Sequence, residues 1–292
     1  EDLSQAYSLS AKRCFGLARV CRVWDIARST VYHQKQQRIK IQSNNRRGRR
    51  PIINDDCLLS EIRIVIREAQ SHGFTGEGYR KVWARLRFKG IRADKERIRR
   101  VMRENNLLAP HRLGKPRGPT AHTGTIIPIA PNLMWGTDAT STYTSEHGNI
   151  TVFAAVDHFT GECVGIHAAI VGNRFEALEP LRQGIKKYFG DYSKAVAPSL
   201  LLRHDHGSQY MSKHFQKEVK FLGITSSPSF VRSPEGNGVI ERFFRTLKEQ
   251  LLWVKHFETV DQLLEALHDF KQRYNEHWIM QRHSYRTPKQ GA

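Results

Sequence analysis

Acidic residues are the scarce class in this 292-residue chain: 28 Asp and Glu stand against 47 Lys and Arg, for a formal net charge of +19. An imbalance of that size argues against a polycationic partner and points to a polyanion, nucleic acid before a membrane surface. Cysteine is scarce too. Cys14, Cys21, Cys57 and Cys163 form no C-x-x-C pair, and no histidine pair completes a zinc-finger spacing, which argues against a thiolate zinc site. The four are read as buried thiols in a reducing compartment. No apolar run approaches the roughly 18 residues of a membrane span, and no signal peptide is read, so the expected setting is cytoplasmic with no membrane partner. Apolar residues make up 39% of the chain, which supports a packed core and excludes wholesale disorder. The length suits about two or three domains.

The positive charge is unevenly placed. Residues 1–130 carry 28 Lys and Arg against 11 Asp and Glu, a net +17, and residues 131–292 carry 19 against 17, a net +2. The first part therefore reads as an electrostatic grip. The second reads as a near-neutral domain with carboxylates available for chemistry.

Within residues 1–41, Leu17, Val20, Cys21 and Trp24 recur at helical spacing and can share one face. Asp25-Ile26-Ala27 breaks the run, and Ser29 or Thr30 can cap a second helix carrying Val31 and Tyr32. With Arg28 exposed, this resembles a helix-turn-helix, although Asp25 stands in the turn where glycine is common. Residues 42–53 have no apolar face until their end. Arg46, Arg47, Arg49 and Arg50 make them a linker able to lie on phosphates. Residues 54–112 read as a second helical module. Leu58, Leu59, Ile62, Val65 and Ile66 line one helix, and Tyr79, Val82, Trp83 and Leu86 a second. Ile98, Val101 and Met102 line a third, capped by Asp94. Residues 80–103 carry eleven basic residues, of which Arg80, Lys81, Lys95 and Arg99 are taken as DNA contacts. Tyr79 and Trp83 are read as core rather than as base-stacking rings. Residues 113–130, rich in proline and without periodicity, form a second linker.

From residue 131 the pattern changes. Residues 134–144 suit a central strand with Asp138 on one face, and 148–169 two strands joined by a turn at His158–Gly161. Residues 174–189 suit a helix with Phe175, Leu178, Leu181 and Ile185 inward. The apolar run 199–205 suits a strand covered on both faces that ends on Asp205. A helix over 215–222, a short strand over 224–227, a loop, and helices over 239–257 and 260–274 complete the chain. Asp138 and Asp205 sit on or at the end of strands and Glu241 on a helix, with 35 residues between the last two. Hard divalent cations prefer such oxygen ligands.

Asp138, Asp205 and Glu241 at this spacing resemble the Asp-Asp-Glu (DDE) triad of retroviral integrases and of insertion-sequence transposases, most closely the catalytic subunit of elements encoded in two overlapping frames. Trp135, the run Gly207-Ser208-Gln209-Tyr210, Asn237, Phe244, Lys248, the pair Tyr274-Asn275, Arg282, His283, Thr287 and Pro288 fit the same pattern. The resemblance runs from about Asn54 to the end. It implies an α+β chain: a ribonuclease H-like catalytic core, a mixed five-stranded sheet with helices, behind all-α helix-turn-helix modules.

The resemblance also implies 3′-end cleavage at the ends of an insertion element, then attack of the freed hydroxyl on another strand. The expected cofactor is Mg²⁺, two ions per site with Mn²⁺ able to substitute. The expected partners are double-stranded DNA, as terminal repeats and target, and further copies of the chain on that DNA, in a bacterial cytoplasm at the nucleoid. Arg245 and Lys248, at one and two turns beyond Glu241, are expected to meet phosphate. His204 stands where the family more often has serine. Together with His206 and Asn237 it is expected to contact substrate or support the ligands. The competing reading is a non-catalytic helix-turn-helix regulator or a decayed transposase.

Overall fold

The computed structural model describes residues 2–42, 52–110, 128–228 and 237–291. The chain divides into two compact units, Glu1–Ile52 and Ile53–Ala292. Most of both expected linkers, with Arg46, Arg47, Arg49 and Arg50, lies outside the described residues.

The first unit begins with a short helix α1 (Asp2–Gln5) and a two-stranded ladder, β1 (Tyr7–Ser8) with β2 (Arg13–Cys14), neither anticipated from the sequence. Helices α2 (Leu17–Val23) and α3 (Arg28–Gln42) follow. The turn between them is closed by the Ile26 amide donating to the Cys21 carbonyl at 2.9 Å. Asp25 takes a left-handed φ of 50° there, which a short polar side chain tolerates. Helix α3 starts at Arg28, ahead of Ser29 and Thr30, so neither is its cap. Of the expected apolar face only Cys21 is buried, and Trp24 is 62% exposed.

The second unit opens with α4 (Asp55–Ser71), α5 (Tyr79–Phe88) and α6 (Lys95–Glu104). The Asn54 side chain caps α4 by accepting from the Cys57 amide at 2.7 Å. Asp94 caps α6 by accepting from Glu96 and Arg97. Leu58, Ile62, Val65, Val82, Leu86, Ile98, Val101 and Met102 close a core among the three helices. Asp55 joins their ends: it accepts from Arg97 and Arg100, and these guanidinium groups hold its carboxyl below the usual range.

A five-stranded sheet follows: β3 (Met134–Thr144), β4 (Gly148–Asp157), β5 (Cys163–Ala169), β6 (Leu201–His204) and β7 (Thr225–Pro228), in the order β5-β4-β3-β6-β7. The first three strands are antiparallel neighbours, and β3, β6 and β7 run parallel. This mixed sheet is the ribonuclease H-like arrangement. The turn from β4 to β5 is set by Asp157, whose carboxylate accepts from Thr160 and from the Asn132 amide. Helices α7 (Glu179–Tyr188), α8 (Ser208–Met211) and α9 (Lys213–Phe221) lie on one side of the sheet, with Trp135, Leu202, Leu181 and Phe215 in the shared core. Helices α10 (Gly238–Leu247) and α11 (Val260–His277) cover the other, with Val152, Ala154, Phe243 and Phe270.

Three details depart from the sequence reading. Regular helix begins at Glu179 rather than 174, with Pro180 in its first turn and Phe175 49% exposed ahead of it. Helix α10 ends at Leu247 and widens into a π-turn over Lys248–Leu252. The third concerns 54–112 and 131–292, read as separate bodies: their described residues share one unit. Phe74, just past α4, is fully buried in the α10–α11 core. Gln250 exchanges two hydrogen bonds with the Thr75 backbone, and Arg85 and Arg273 donate to the carbonyls of His277 and His72. No described helix is long and apolar enough to cross a membrane. All four cysteines are free, but Cys14 and Cys57 are exposed and only Cys21 and Cys163 are buried.

Candidate active site

The site is assembled by strand register. Gly136 of β3 pairs with Arg203 of β6 in a parallel ladder. Paired residues of parallel strands point to the same face, so two residues on in each chain Asp138 stands level with Asp205 at the point where β6 ends. The backbone organises both carboxylates: Asp138 accepts from the Ala139 amide at 2.8 Å and Asp205 from the Gly207 amide at 2.9 Å.

Glu241 arrives from the other layer, in the first turn of α10. The residue that lets it approach is Gly136, which the sequence reading passed over. A Cβ there would lie 2.5 Å from His158 Nε2 and 3.0 Å from Asn237 Oδ1. Asn237 is buried at the start of α10. A bare backbone at Gly136 therefore allows the end of α10 to settle onto β3, four residues before Glu241. The sequence signal was available: a lone glycine inside a strand marks close approach of another group.

Burial shifts these acids. The Asp138 carboxyl is pushed up to about 6, first by desolvation and then by the charges of Asp205 and Glu241, against the Ala139 hydrogen bond and the Lys248 ammonium, which pull it down. The Glu241 carboxyl is also raised by burial. Asp138 thus feels Asp205, Glu241 and Lys248 together. The donors are all oxygen, which suits a hard dication, and a cation among them would offset the burial and the repulsion that together raise the Asp138 pKa. Among the described residues, no three His, Cys, Asp or Glu side chains are gathered tightly enough to hold one ion. Asp205 and Glu241 are exposed.

The other anticipated residues divide. Lys248 is half-buried at the start of the π-turn, not on a fully exposed face. Arg245 is exposed and paired with Glu249 at 3.1 Å. His204 turns away from the carboxylates: it is fully buried, bonded through Nδ1 to the Asp205 carbonyl at 2.6 Å and through Nε2 to Ser226 at 2.8 Å, with its ring against Tyr210 and Phe215. Both of its ring nitrogens are engaged within the fold. It ties the Asp205 backbone to β7, and burial lowers its pKa. His206 is exposed beside Asp205.

In the helical module Lys81 is not a surface cation. Its ammonium lies 2.9 Å from the centre of the Trp278 ring and 3.9 Å from Glu77. Arg80 and Arg99 lie over Tyr79, and Arg87 and Lys95 over Trp83. Arg99 also pairs with Glu96 at 3.0 Å. Arg28 stands exposed at the start of α3 in the first unit.

The chain is similar to several known proteins. Residues 222–288, which include Glu241 and Lys248, match the integrase core domain family. The transposase InsD of insertion element IS2A/D/F/H/I/K from Escherichia coli is 27% identical over 286 residues, covering 95% of this chain and 91% of that protein. InsD of IS2D from Escherichia coli strain K12 aligns equally well. A solved structure of the simian T-cell lymphotropic virus intasome in complex with the PP2A regulatory subunit B56 gamma is 20% identical, with a TM-score of 0.47, covering 76% of this chain and 73% of that one. These likenesses support a DDE transposase of the insertion-sequence type.

Proposed function

We propose that the chain cuts the 3′ ends of its insertion element and joins them to target DNA at one divalent-metal site made by Asp138, Asp205 and Glu241. The single observation that carries this reading is the register of β3 on β6, which sets Asp138 level with Asp205 beneath the helix bearing Glu241. A pair of Mg²⁺ ions, or Mn²⁺ in their place, would supply activation of the attacking oxygen and charge neutralisation at the leaving oxygen. The chain's own residues do the rest. Asp138 must be ionised to take part, so below about pH 6 a proton there competes with the metal and activity should fall at low pH. Lys248, close enough to lower the Asp138 pKa, offers its ammonium to a phosphate brought to the carboxylates. Gly136 and Asn237 seat α10 so that Glu241 faces the strand carboxylates. The partners are two duplexes, element end and target, handled by more than one copy of the chain in a bacterial cytoplasm. DNA contact is assigned to Lys248, Arg80, Lys95, Arg99 and Arg28, and to Arg46, Arg47, Arg49 and Arg50 of the basic linker.

The test is incubation of the full chain with a labelled duplex of the element's terminus and Mg²⁺ or Mn²⁺. Nicking at the 3′ end, followed by covalent joining to a second duplex, is the expected result. End binding without any nicking would leave the regulator reading in its place.

A further inference from the structure

Opposite α10, on the other layer of the sheet, lies a cavity of about 460 Å³ lined by Arg174, Ser212, Lys213, His214 and Lys217. No carboxylate lines it. Elsewhere in the catalytic half cations are commonly neutralised, as in Arg182–Glu179, Lys187–Glu162, Arg273–Asp269 and Lys289–Glu276. Arg174, Lys213 and Lys217 have no ion pair among the described residues. Three cations around one hollow repel each other unless an anion enters, and the hollow is braced. The Arg174 guanidinium lies 4.8 Å over the Phe175 ring, and the same ring packs 4.7 Å from that of His214. That explains why Phe175 stays at the surface instead of turning inward. Ser212 is already engaged, accepting from the Phe215 amide and donating to the Gln209 carbonyl, so the ligand would be held by the charged side chains.

The location narrows the ligand. Strand β5 runs parallel to β3 and β6, because each is reached by antiparallel steps through β4 or by direct parallel pairing. The segment leaving β5 supplies Arg174, and the segment leaving β6 supplies Lys213, His214 and Lys217. Both leave the sheet at the end where β6 delivers Asp205. Lys248 stands on the α10 layer, and the hollow on the α7–α9 layer. Two cationic contacts therefore flank the carboxylates from opposite faces.

We propose that this hollow is a phosphate-binding subsite for the backbone of a second DNA duplex, the one that receives the cut end. The proposal rests on the cutting-and-joining reading above. Backbone phosphate contacts position a duplex without reading its sequence, as a receiving duplex of unspecified sequence requires.

The experiment uses the full chain carrying Arg174→Ala, Lys213→Ala and Lys217→Ala together. A control carries Lys186→Ala, Lys194→Ala and Lys220→Ala, which removes the same charge from exposed positions that do not line the hollow. Thermal melting confirms that both fold. The triple variant should nick a labelled element end at close to the unmutated rate. It should join a pre-cut end to an unrelated duplex roughly tenfold less well, with the salt dependence of joining flattened by about three phosphate contacts; the control should do neither. Undiminished joining overturns the proposal. So does equal loss of end nicking, which would mean the hollow holds the element end itself. If the unmutated chain nicks no end, it is the cutting reading that fails. The hollow is then judged by gel-shift of an unrelated duplex, where an unchanged salt slope in the triple variant overturns it.

Discussion

The helical module and the catalytic half of the second unit use charge in opposite ways. In the module, cations that look from the sequence like a continuous DNA grip are largely spent on the fold: Arg97 and Arg100 on Asp55, Arg85 on Glu77, Lys89 on Glu68, and Lys81 against Trp278. In the catalytic half, whose net charge is near zero, Asp138 is buried within reach of the charges of Asp205 and Glu241, and three cations line a hollow with no ion pair among the described residues. Net charge therefore locates a polyanion partner only coarsely. What matters is which charges the fold leaves unspent, because an ion pair within the protein removes both members from the field a ligand meets.

The most direct way to break the contrast is to neutralise the unspent acids. Asp138→Asn, Asp205→Asn and Glu241→Gln should each reduce end cleavage by at least ~10³-fold, about 4 kcal/mol on the barrier, with gel-shift of the same DNA unchanged. Near-normal cleavage by any one removes that residue from the site. Gly136→Ala tests how Glu241 is delivered. The added Cβ collides with His158 and Asn237, so the variant should lose about 1–3 kcal/mol of stability and most of its cleavage. A variant as active as the unmutated chain would show that α10 does not depend on this approach.

The third prediction concerns stability against pH. The folded Asp138 carboxyl is raised from 3.8 to about 6, so the folded protein holds a proton that the unfolded chain releases. Its contribution is fully present below about pH 4 and is lost as pH rises through about 6. Above that, ionised Asp138 costs the metal-free fold up to about 3 kcal/mol. Asp138→Asn should then melt higher than the unmutated protein at pH 8 and show little advantage at pH 4. Added Mg²⁺ should raise the melting temperature of the unmutated protein alone. Equal melting at pH 8 would mean the acid is not strained.

Smaller effects sharpen the same comparison. Lys248→Ala should weaken end binding by about 1 kcal/mol and flatten its salt slope by about one phosphate, whereas Arg245→Ala, already paired with Glu249, should change it less. Reversed ranks in the gel-shift would exchange their roles. Asp55→Ala should destabilise the module by about 0.5–1 kcal/mol, a figure limited by its exposure. Because the Asp55 pKa is lowered, that contribution is present at neutral pH and fades as pH falls through the carboxylate range. Loss of DNA binding instead would show that Arg97 and Arg100 serve the ligand rather than the fold.

Much of this was legible in the chain itself. The strands β3 to β7, the Asp94 cap and the three carboxylates follow from alternation, capping chemistry and spacing, all properties of neighbours in sequence. The roles of Lys81 and His204 were not, because each is set by a partner far along the chain or by the face its strand presents: Trp278 for Lys81, Ser226 for His204. The start of α7 and the end of α10 were misjudged because apolar spacing continues past the point where a proline or a π-turn changes the backbone.

By itself the sequence showed three carboxylates, Asp138, Asp205 and Glu241, whose spacing resembles the Asp-Asp-Glu triad of recombinases, since that is a matter of residue type and count. Only the tertiary structure decided that Asp138 stands level with Asp205, that Gly136 admits the helix bearing Glu241, and which of the described basic residues are taken up in ion pairs within the fold. Register, close approach and ion pairing are relations between segments, and their energies depend on distance and burial that a linear pattern does not contain.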